Sequence, residues 1–360
     1  MQQITAIALS GGIDSLVAAA LLKEQGHQLI AIHFITGYEV SCTPTPGSGG
    51  DLMQALTIQA EHRLGPLARK LQIPMHFINA QRDFQRHVVD YFISEYRNGK
   101  TPNPCLVCNP KIKFDLLLKS AKALGATGIA TGHYARVLPD AHGGFRLLRG
   151  VDGLKDQSYF LARLTQDQLK HIVLPLGNMT KAHTRRLADA IGLQPVSDRE
   201  SQDICFIPGS SYGEFLSGRP GFEMKPGPIE TVTGEVIGSH RGIHLFTIGQ
   251  RKGINCPAAA PYYVVRIDPV RNCVVVGRKE ELLTLECHIA KMNWIGSIPP
   301  KPLRVMTKVR YRHAAVAATL FPVDPTSARV VFDRPQQAVT PGQGAVFFEG
   351  EEVLGGGWIT

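Results

Sequence analysis

Two short stretches carry the side chains best suited to chemistry. Ser10-Gly11-Gly12-Ile13-Asp14-Ser15 supplies two glycines, two hydroxyls and a carboxylate. Paired glycines let a backbone turn sharply and approach an anion closely. The unpaired N–H groups of such a turn, and of a helix that starts there, point at phosphate oxygens. The hexapeptide lacks the GxxxxGK[ST] pattern, which excludes a Walker A loop. Standing alone, it also fits a tight strand-to-helix turn capped by Asp14 or Ser15. The second stretch is Thr101-Pro102-Asn103-Pro104-Cys105-Leu106-Val107-Cys108-Asn109, followed by Lys111 and Lys113. Two prolines stiffen it, and cationic neighbours with a helix N-terminus favour thiolate over thiol. A Cys-x-x-Cys pair has four readings: half a zinc site, a redox pair, cluster ligands, or two buried structural cysteines. No second Cys-x-x-Cys is present to complete a zinc site.

The surrounding pattern predicts the elements that position these residues. Ile4 to Leu9, Leu29 to Ile35, Met75 to Ile78 and Ile129 to Thr131 read as short buried strands. Helices are expected from Ser15 to Gln25, from Asp51 to Leu71 with an interruption at Gly65 and Pro66, and from Ile112 to Leu124. Phe84, Val88, Phe92 and Tyr96 recur every four residues and mark one face of another helix. Strands alternating with helices imply a parallel sheet covered on both faces. The phosphate-type loop then falls after the first strand, where open α/β sheets bind ligands. Thr165 to Gln168 fits a capping box, and Thr180 caps a helix ending at Gly192. Beyond Cys205 the helical period fades. Short apolar segments recur between turn residues: Tyr262 to Ile267, Cys273 to Val276, Val305 to Val309, Ala314 to Leu320, Arg329 to Phe332 and Ala345 to Phe348. That half is expected to be mostly β, ending in a small barrel.

The 360 residues suggest two or three domains. A net charge of +9 suits an anionic partner such as RNA, as it suits plain solubility. Between Glu286 and Asp324 there is no acidic residue, while Lys291, Lys301, Arg304, Lys308, Arg310 and Arg312 fall there. One-signed charge over such a span is what a phosphate-contacting surface needs, with Tyr311 placed to stack on a base; an ordinary solvated strand face reads the same way. Seven cysteines in a chain this long exclude a small disulfide scaffold. No secretory segment and no apolar run of the ~18 residues a spanning helix needs is visible. The expectation is a cytoplasmic protein with no membrane partner and reduced thiols.

Taken together, the motifs resemble the tRNA-specific 2-thiouridylases, the MnmA family. The resemblance rests on SGGIDS at 10–15, GKTPNPCLVCNPKIKF at 99–114, ATGHYAR at 130–136, LKDQSYFL at 154–161 and SQDICFIP at 201–208. It continues through TIGQRKG at 247–253, KVRYRH at 308–313 and VTPGQGAVFFEG at 339–350. It implies a parallel-sheet ATP-pyrophosphatase (PP-loop) domain over 1–207, a small central tRNA-binding domain over 208–280, and a C-terminal tRNA-binding β-barrel over 281–360. The implied reaction is adenylation of the C2 carbonyl of the wobble uridine by ATP with Mg2+, then replacement of that oxygen by sulfur. Dividing a hard substitution into two covalent steps is the logic of nucleophilic catalysis.

Residue by residue, the resemblance makes Cys108 the nucleophile and Cys205 its partner. It gives Ser10, Gly11, Gly12, Asp14 and Ser15 the ATP phosphates, with Asp14 catalytic as well. Gly132 matches a nucleotide contact, and Phe34 stands near the adenine-contacting position. Asn103, Pro104 and Cys105 match the segment at the target base. His133, Lys155, Asp156, Gln157, Arg310, Tyr311 and Gln343 match tRNA contacts in the anticodon region. Sulfur would come from a donor or carrier protein, or from inorganic sulfide.

Two features depart from the family pattern. Tyr38 to Asp51 is Gly/Pro/Thr-rich where members commonly carry an acidic, Trp-containing stretch. Cys105 stands where some members have Asp. With Cys108 and Cys205 it supplies three thiolates, enough to ligate a [4Fe-4S] cluster through three irons; the alternative carrier is a persulfide on Cys108 and Cys205. Rival readings are another PP-loop ligase that does not act on tRNA, and a non-catalytic RNA-binding protein. The paired cysteines and the basic barrel oppose the first, and the intact SGGIDS with both cysteines opposes the second.

Overall fold

The computed structural model describes residues 4–39, 52–196, 204–207, 211–217, 219, 222 and 224–360. Two compact units form. One joins Met1–Val88, Cys105–Pro208 and Glu351–Leu354; the other joins Val89–Pro104, Gly209–Gly350 and Gly355–Thr360. The short segments Val89–Pro104 and Glu351–Leu354 group with residues remote in sequence, which a contiguous division does not express.

In the first unit, β1 (Ile4–Ala8), β2 (Gln28–Ile35), β3 (Met75–Asn79) and β4 (Gly128–Ala130) join one sheet. A hairpin follows, β5 (Ala135–Pro139) and β6 (Phe145–Arg149), and then β7 (Ile172–Val173). The sheet order is β3-β2-β1-β4-β7, with every pairing parallel. The chain leaves β1 toward β2 and β3, then returns to place β4 on β1's other side. That reversal is a switch point at the C-terminal ends of β1 and β4, the place where doubly wound sheets hold ligands. Helix α1 (Ile13–Glu24) buries Leu16, Val17, Ala18, Ala19 and Leu22 against this sheet beside Ile7 and Ala31.

Helix α2 (Leu52–Lys70) runs unbroken through Gly65 and Pro66, where an interruption was expected. Its inward stripe, Leu56, Ala60, Leu64 and Ala68, is buried, and such tertiary packing outweighs one lost backbone bond. The helical run 81–97 appears as expected, with a π-helical turn, Gln85–Val89, inside it. The hairpin β5–β6 was not anticipated. The expected loop from Thr43 to Gly50, and residues 40–51 as a whole, lie outside the described residues.

The second unit contains a sheet and a barrel. Strands β8 (Gly227–Thr231), β9 (Val236–His240), β10 (Tyr263–Asp268) and β11 (Cys273–Gly277) form a sheet in the order β10-β11-β8-β9. Ile229, Phe246, Val264, Val274 and Val276 make its core. The barrel strands are β12 (Leu283–Trp294), β13 (Leu303–Lys308), β14 (Val316–Asp324), β15 (Ser327–Gln337), β16 (Gly344–Glu349) and β17 (Glu352–Ile359). They follow the order β12-β15-β14-β13-β16-β17, and β17 pairs back onto β12. Closure removes free edges. Ala318, Leu320, Val330, Phe332 and Phe347 fill the inside. The segment expected as a strand from Ala314 begins at Val316, so Arg310 to His313 form a turn. The parallel-sheet domain, the small central domain and the C-terminal barrel are all present.

Candidate active site

The SGGIDS loop leaves β1 and enters α1 in two tight steps. Gly11 sits at φ +84, and a Cβ there would fall 2.6 Å from Leu64 Cδ2, so only glycine fits. Gly12 is the N-cap, without a capping side chain. The Ser15 hydroxyl donates to the Gly12 carbonyl at 2.9 Å and lies 3.2 Å from the Ser10 hydroxyl, while Gly12 N–H donates to Ser10 Oγ at 3.4 Å. These bonds pre-form the loop. His33, neutral because burial lowers its pKa, bonds the Leu9 carbonyl through Nδ1 at 2.8 Å just before the turn. Phe34 follows on β2, half-buried.

Gly132 leaves β4 beside the first turn of α1. A Cβ there would lie 2.7 Å from Asp14 C and 2.8 Å from Ser15 N. Its place in the motif therefore has a packing reason: a side chain would push the loop away. Asp14 is engaged. Lys181 Nζ donates to both its oxygens, at 2.7 and 2.8 Å, and the Tyr134 hydroxyl donates to Oδ1 at 2.8 Å. Tyr134 also lies 2.9 Å from Thr184 Oγ1. Lys181 opens the helix Lys181–Ala190, capped by Thr180, and its backbone N–H donates to Asp152 Oδ2 at 2.9 Å.

Cys105 and Cys108 end the single turn Cys105–Cys108, which passes directly into the π-helical segment Asn109–Leu116. Wide π turns occur often at functional sites. Asn109 is buried; its Nδ2 donates to the Cys105 carbonyl at 2.9 Å, and its Oδ1 is buried without a partner. Cys205 is set by its neighbour Phe206, which packs with Tyr38 and Phe84 at centroid distances of 5.9 and 5.7 Å. By residue surface Cys105 and Cys205 are exposed and Cys108 half-buried, while the sulfur atoms of all three sit among surrounding protein.

All three thiols are held above their ordinary value, contrary to the expectation of favoured thiolates. Burial pushes Cys108 up to about 12; Lys113 opposes this, and Cys205 and Cys105 add to it. Burial is also the first cause for Cys105 and Cys205, again opposed by Lys113, and Cys105 raises Cys205. Desolvation outweighs the lysine because a buried thiolate loses its hydration. Each pair among the three thiols lies near enough to interact electrostatically. Among the described residues no group of three His, Cys, Asp or Glu side chains lies close enough to hold a single metal ion.

The residues expected at RNA divide into two groups. Three are committed to internal structure. His133 is buried, bonded to Thr131 Oγ1 at 2.7 Å and packed on Phe114, and burial lowers its pKa well below the usual value. It is therefore no cation for phosphate. Asp156 is buried and accepts from Gly150 N and Ser158 N at 3.2 and 3.0 Å. Gln157 clamps Tyr134, accepting from its N–H at 3.0 Å and donating backbone N–H to its carbonyl at 2.9 Å. In the second unit, Gln343 Nε2 donates to the carbonyls of Thr101 and Pro102 at 3.0 and 3.3 Å. Gln343 thus braces the segment carrying Asn103 and Pro104.

Lys155 is half-buried, and the Leu154 beside it is 92% exposed at the tip of the turn. Arg310 and Arg312 are exposed, with Tyr311 between them and Lys308 Nζ 5.3 Å from its ring. Arg304 is a correction: it pairs with Asp333 at 2.5 Å, so the acid-free stretch in sequence is not acid-free in space.

Residues 3–209 match the family described as the tRNA methyl transferase HUP domain. Residues 214–278 match its PRC-barrel domain, and 284–359 the aminomethyltransferase beta-barrel domain. The chain is 47% identical over 356 residues to the tRNA-specific 2-thiouridylase MnmA of Desulfosudis oleivorans, covering 99% of this chain and 94% of that one. It belongs to the tRNA-specific 2-thiouridylase family. A second thiouridylase of that family, from Moorella thermoacetica, is 44% identical, with 98% of each chain covered. Among solved structures, a 4-thiouridine synthetase–RNA complex with bound ATP shares 18% identity and a TM-score of 0.35, over 57% of this chain and 46% of that one.

Sequence reasoning gave no sign of Lys181 at Asp14, of Gln168 at Pro110, of Asn109 at the Cys105 carbonyl, or of the packing of Phe206 on Tyr38 and Phe84. Tyr134 was visible inside ATGHYAR. The Thr180 cap marked where Lys181 begins its helix, but nothing local tied that lysine to Asp14.

Proposed function

We propose that this chain is an ATP-dependent tRNA 2-thiouridylase. The uridine O2 attacks the α-phosphorus of ATP and pyrophosphate leaves. A sulfur nucleophile then attacks C2, and AMP departs with the former carbonyl oxygen. The observation that carries this reading is the electrostatic proximity of Cys105, Cys108 and Cys205 in the unit whose sheet order reverses at β1 and β4, beside the SGGIDS loop. A rival ligase has no use for three thiols there.

The loop N–H groups and the hydroxyls of Ser10 and Ser15 receive the ATP phosphates, and Phe34 lies toward the base. Mg2+ rides on those phosphates, since Asp14 is taken by Lys181. The donor set fits a [4Fe-4S] cluster held by Cys105, Cys108 and Cys205. Cluster ligands sit on different irons, so they need not meet at one point, and coordination deprotonates thiols that are otherwise held protonated. When bound, such a cluster would supply sulfur at the oxidation level of sulfide. A sulfur-carrier protein or inorganic sulfide replenishes it. Asn103 and Pro104 present the target base, and Lys155, Arg310 and Tyr311 meet the anticodon arm. The division into 1–207, 208–280 and 281–360, and a cytoplasmic location, complete the reading; no helix among the described residues is long and apolar enough to cross a membrane.

The test is thiolation of unmodified tRNA with ATP and sulfide under anaerobic conditions. AMP release must depend on tRNA. Asp14→Ala should abolish AMP formation and leave tRNA affinity intact. AMP release at the same rate without tRNA would favour the rival ligase.

A further inference from the structure

The hexapeptide loop carries no cation and one carboxylate, Asp14 in the first turn of α1. That poses a problem for a polyphosphate site. The helix start favours an anion, but a carboxylate on the same turn repels it. Two like charges about 6 Å apart at the effective dielectric of a protein surface weaken binding on the order of 100-fold.

Lys181 answers the problem. Its Nζ lies 2.7 and 2.8 Å from the two Asp14 oxygens and 5.9 Å from the Tyr134 ring centroid. The residue is 8% exposed, and its backbone N–H is fixed by Asp152. This is a held lysine, not a mobile surface cation. As a stabilising device a buried pair is weak, because desolvation offsets the attraction. As a neutraliser it is effective, because the carboxylate charge is cancelled at its source. We infer that Lys181 is a positioning residue of the nucleotide site: it cancels the charge of Asp14 and so admits the triphosphate to the SGGIDS loop. The inference rests on the reading that this loop binds ATP.

The test is calorimetric titration of the full chain with α,β-methylene-ATP and Mg2+, which cannot release pyrophosphate. Lys181→Met should weaken binding at least about 10-fold. Lys181→Arg keeps the charge and should stay within about 3-fold of wild type. The decisive variant is Lys181→Met combined with Asp14→Asn, which removes both charges and should recover most of the loss. A purely structural pair would show no such recovery, because the double variant is further from the native contacts. tRNA affinity and thermal melting monitor the fold. Should Lys181→Met not fold, the charge-neutral double variant still decides: a loss beyond about 10-fold overturns the inference. Wild-type affinity in Lys181→Met overturns it too. No binding by the wild-type chain would overturn the ATP reading itself, and this inference with it.

Discussion

Gln168 donates its side-chain amide to the carbonyl oxygen of Pro110 at 2.7 Å, across 58 positions of sequence. Its Oε1 meanwhile accepts from Thr165 N at 3.0 Å, completing the capping box. One side chain thus keys a short helix to the π-helical segment behind Cys108. Gln168→Leu leaves a buried carbonyl unsatisfied and opens the cap. Urea denaturation is expected to show a loss of roughly 1–3 kcal/mol. An unchanged midpoint would mean that solvent replaces the bond.

Cys105 separates the two sulfur carriers. If the three thiols ligate one cluster, Cys105→Ser purified anaerobically should lose iron and tRNA thiolation together, as should Cys108→Ser and Cys205→Ser. Full thiolation by Cys105→Ser without bound iron would leave Cys108 and Cys205 as a persulfide pair.

The barrel arginines are not equivalent. Arg310 and Arg312 are exposed on the turn before β14, whereas Arg304 is spent on Asp333. Replacing Arg310 and Arg312 by Ala should weaken tRNA binding and flatten its salt dependence by about two counterions. Arg304→Ala should leave that slope nearly unchanged. Equal slopes for all variants would remove this turn from the RNA surface.

Cys108 gives a pH signature in the reduced, chelator-treated chain. Its thiol is raised from 9.0 to about 12, chiefly by burial. The folded form therefore holds a proton that the unfolded chain releases near 9. The associated stability is fully present below pH 9 and is lost as pH climbs toward 12. Iodoacetamide labelling of Cys108, followed by mass spectrometry, should keep rising about tenfold per pH unit through pH 10. A plateau near pH 9 would show an ordinary, solvated thiol.

Much of the fold was legible because periodicity is local. The strands Ile4–Ala8 and Gln28–Ile35, the Thr165 capping box and the Thr180 cap all follow from neighbours in sequence. Strand β8 was not legible: it opens with Gly227-Pro228, a turn signal, and buries Glu230, whose charge Arg271 pairs at 2.7 Å. Strand β12 hides its alternation behind exposed Leu283 and Leu285 and a bulge between Thr284 and Glu286. The cysteine motif was visible, but the protonation of its thiols was misjudged. Lys113 is visible in sequence, and the desolvation that outweighs it exists only after folding. Lys181 was out of reach for the same reason: 167 positions separate it from Asp14.

Asp152 gives the SGGIDS loop and the turn at Lys155 a common anchor. Its Oδ1 accepts from Leu154 N at 3.1 Å, and its Oδ2 accepts from the backbone of Lys181, the lysine that grips Asp14. If ATP sits at this loop and tRNA at this turn, as proposed, both ligands bear on the same helix start. Occupancy of the two sites is then energetically linked, and the linkage runs both ways: whatever factor ATP applies to tRNA affinity, tRNA must apply to ATP affinity.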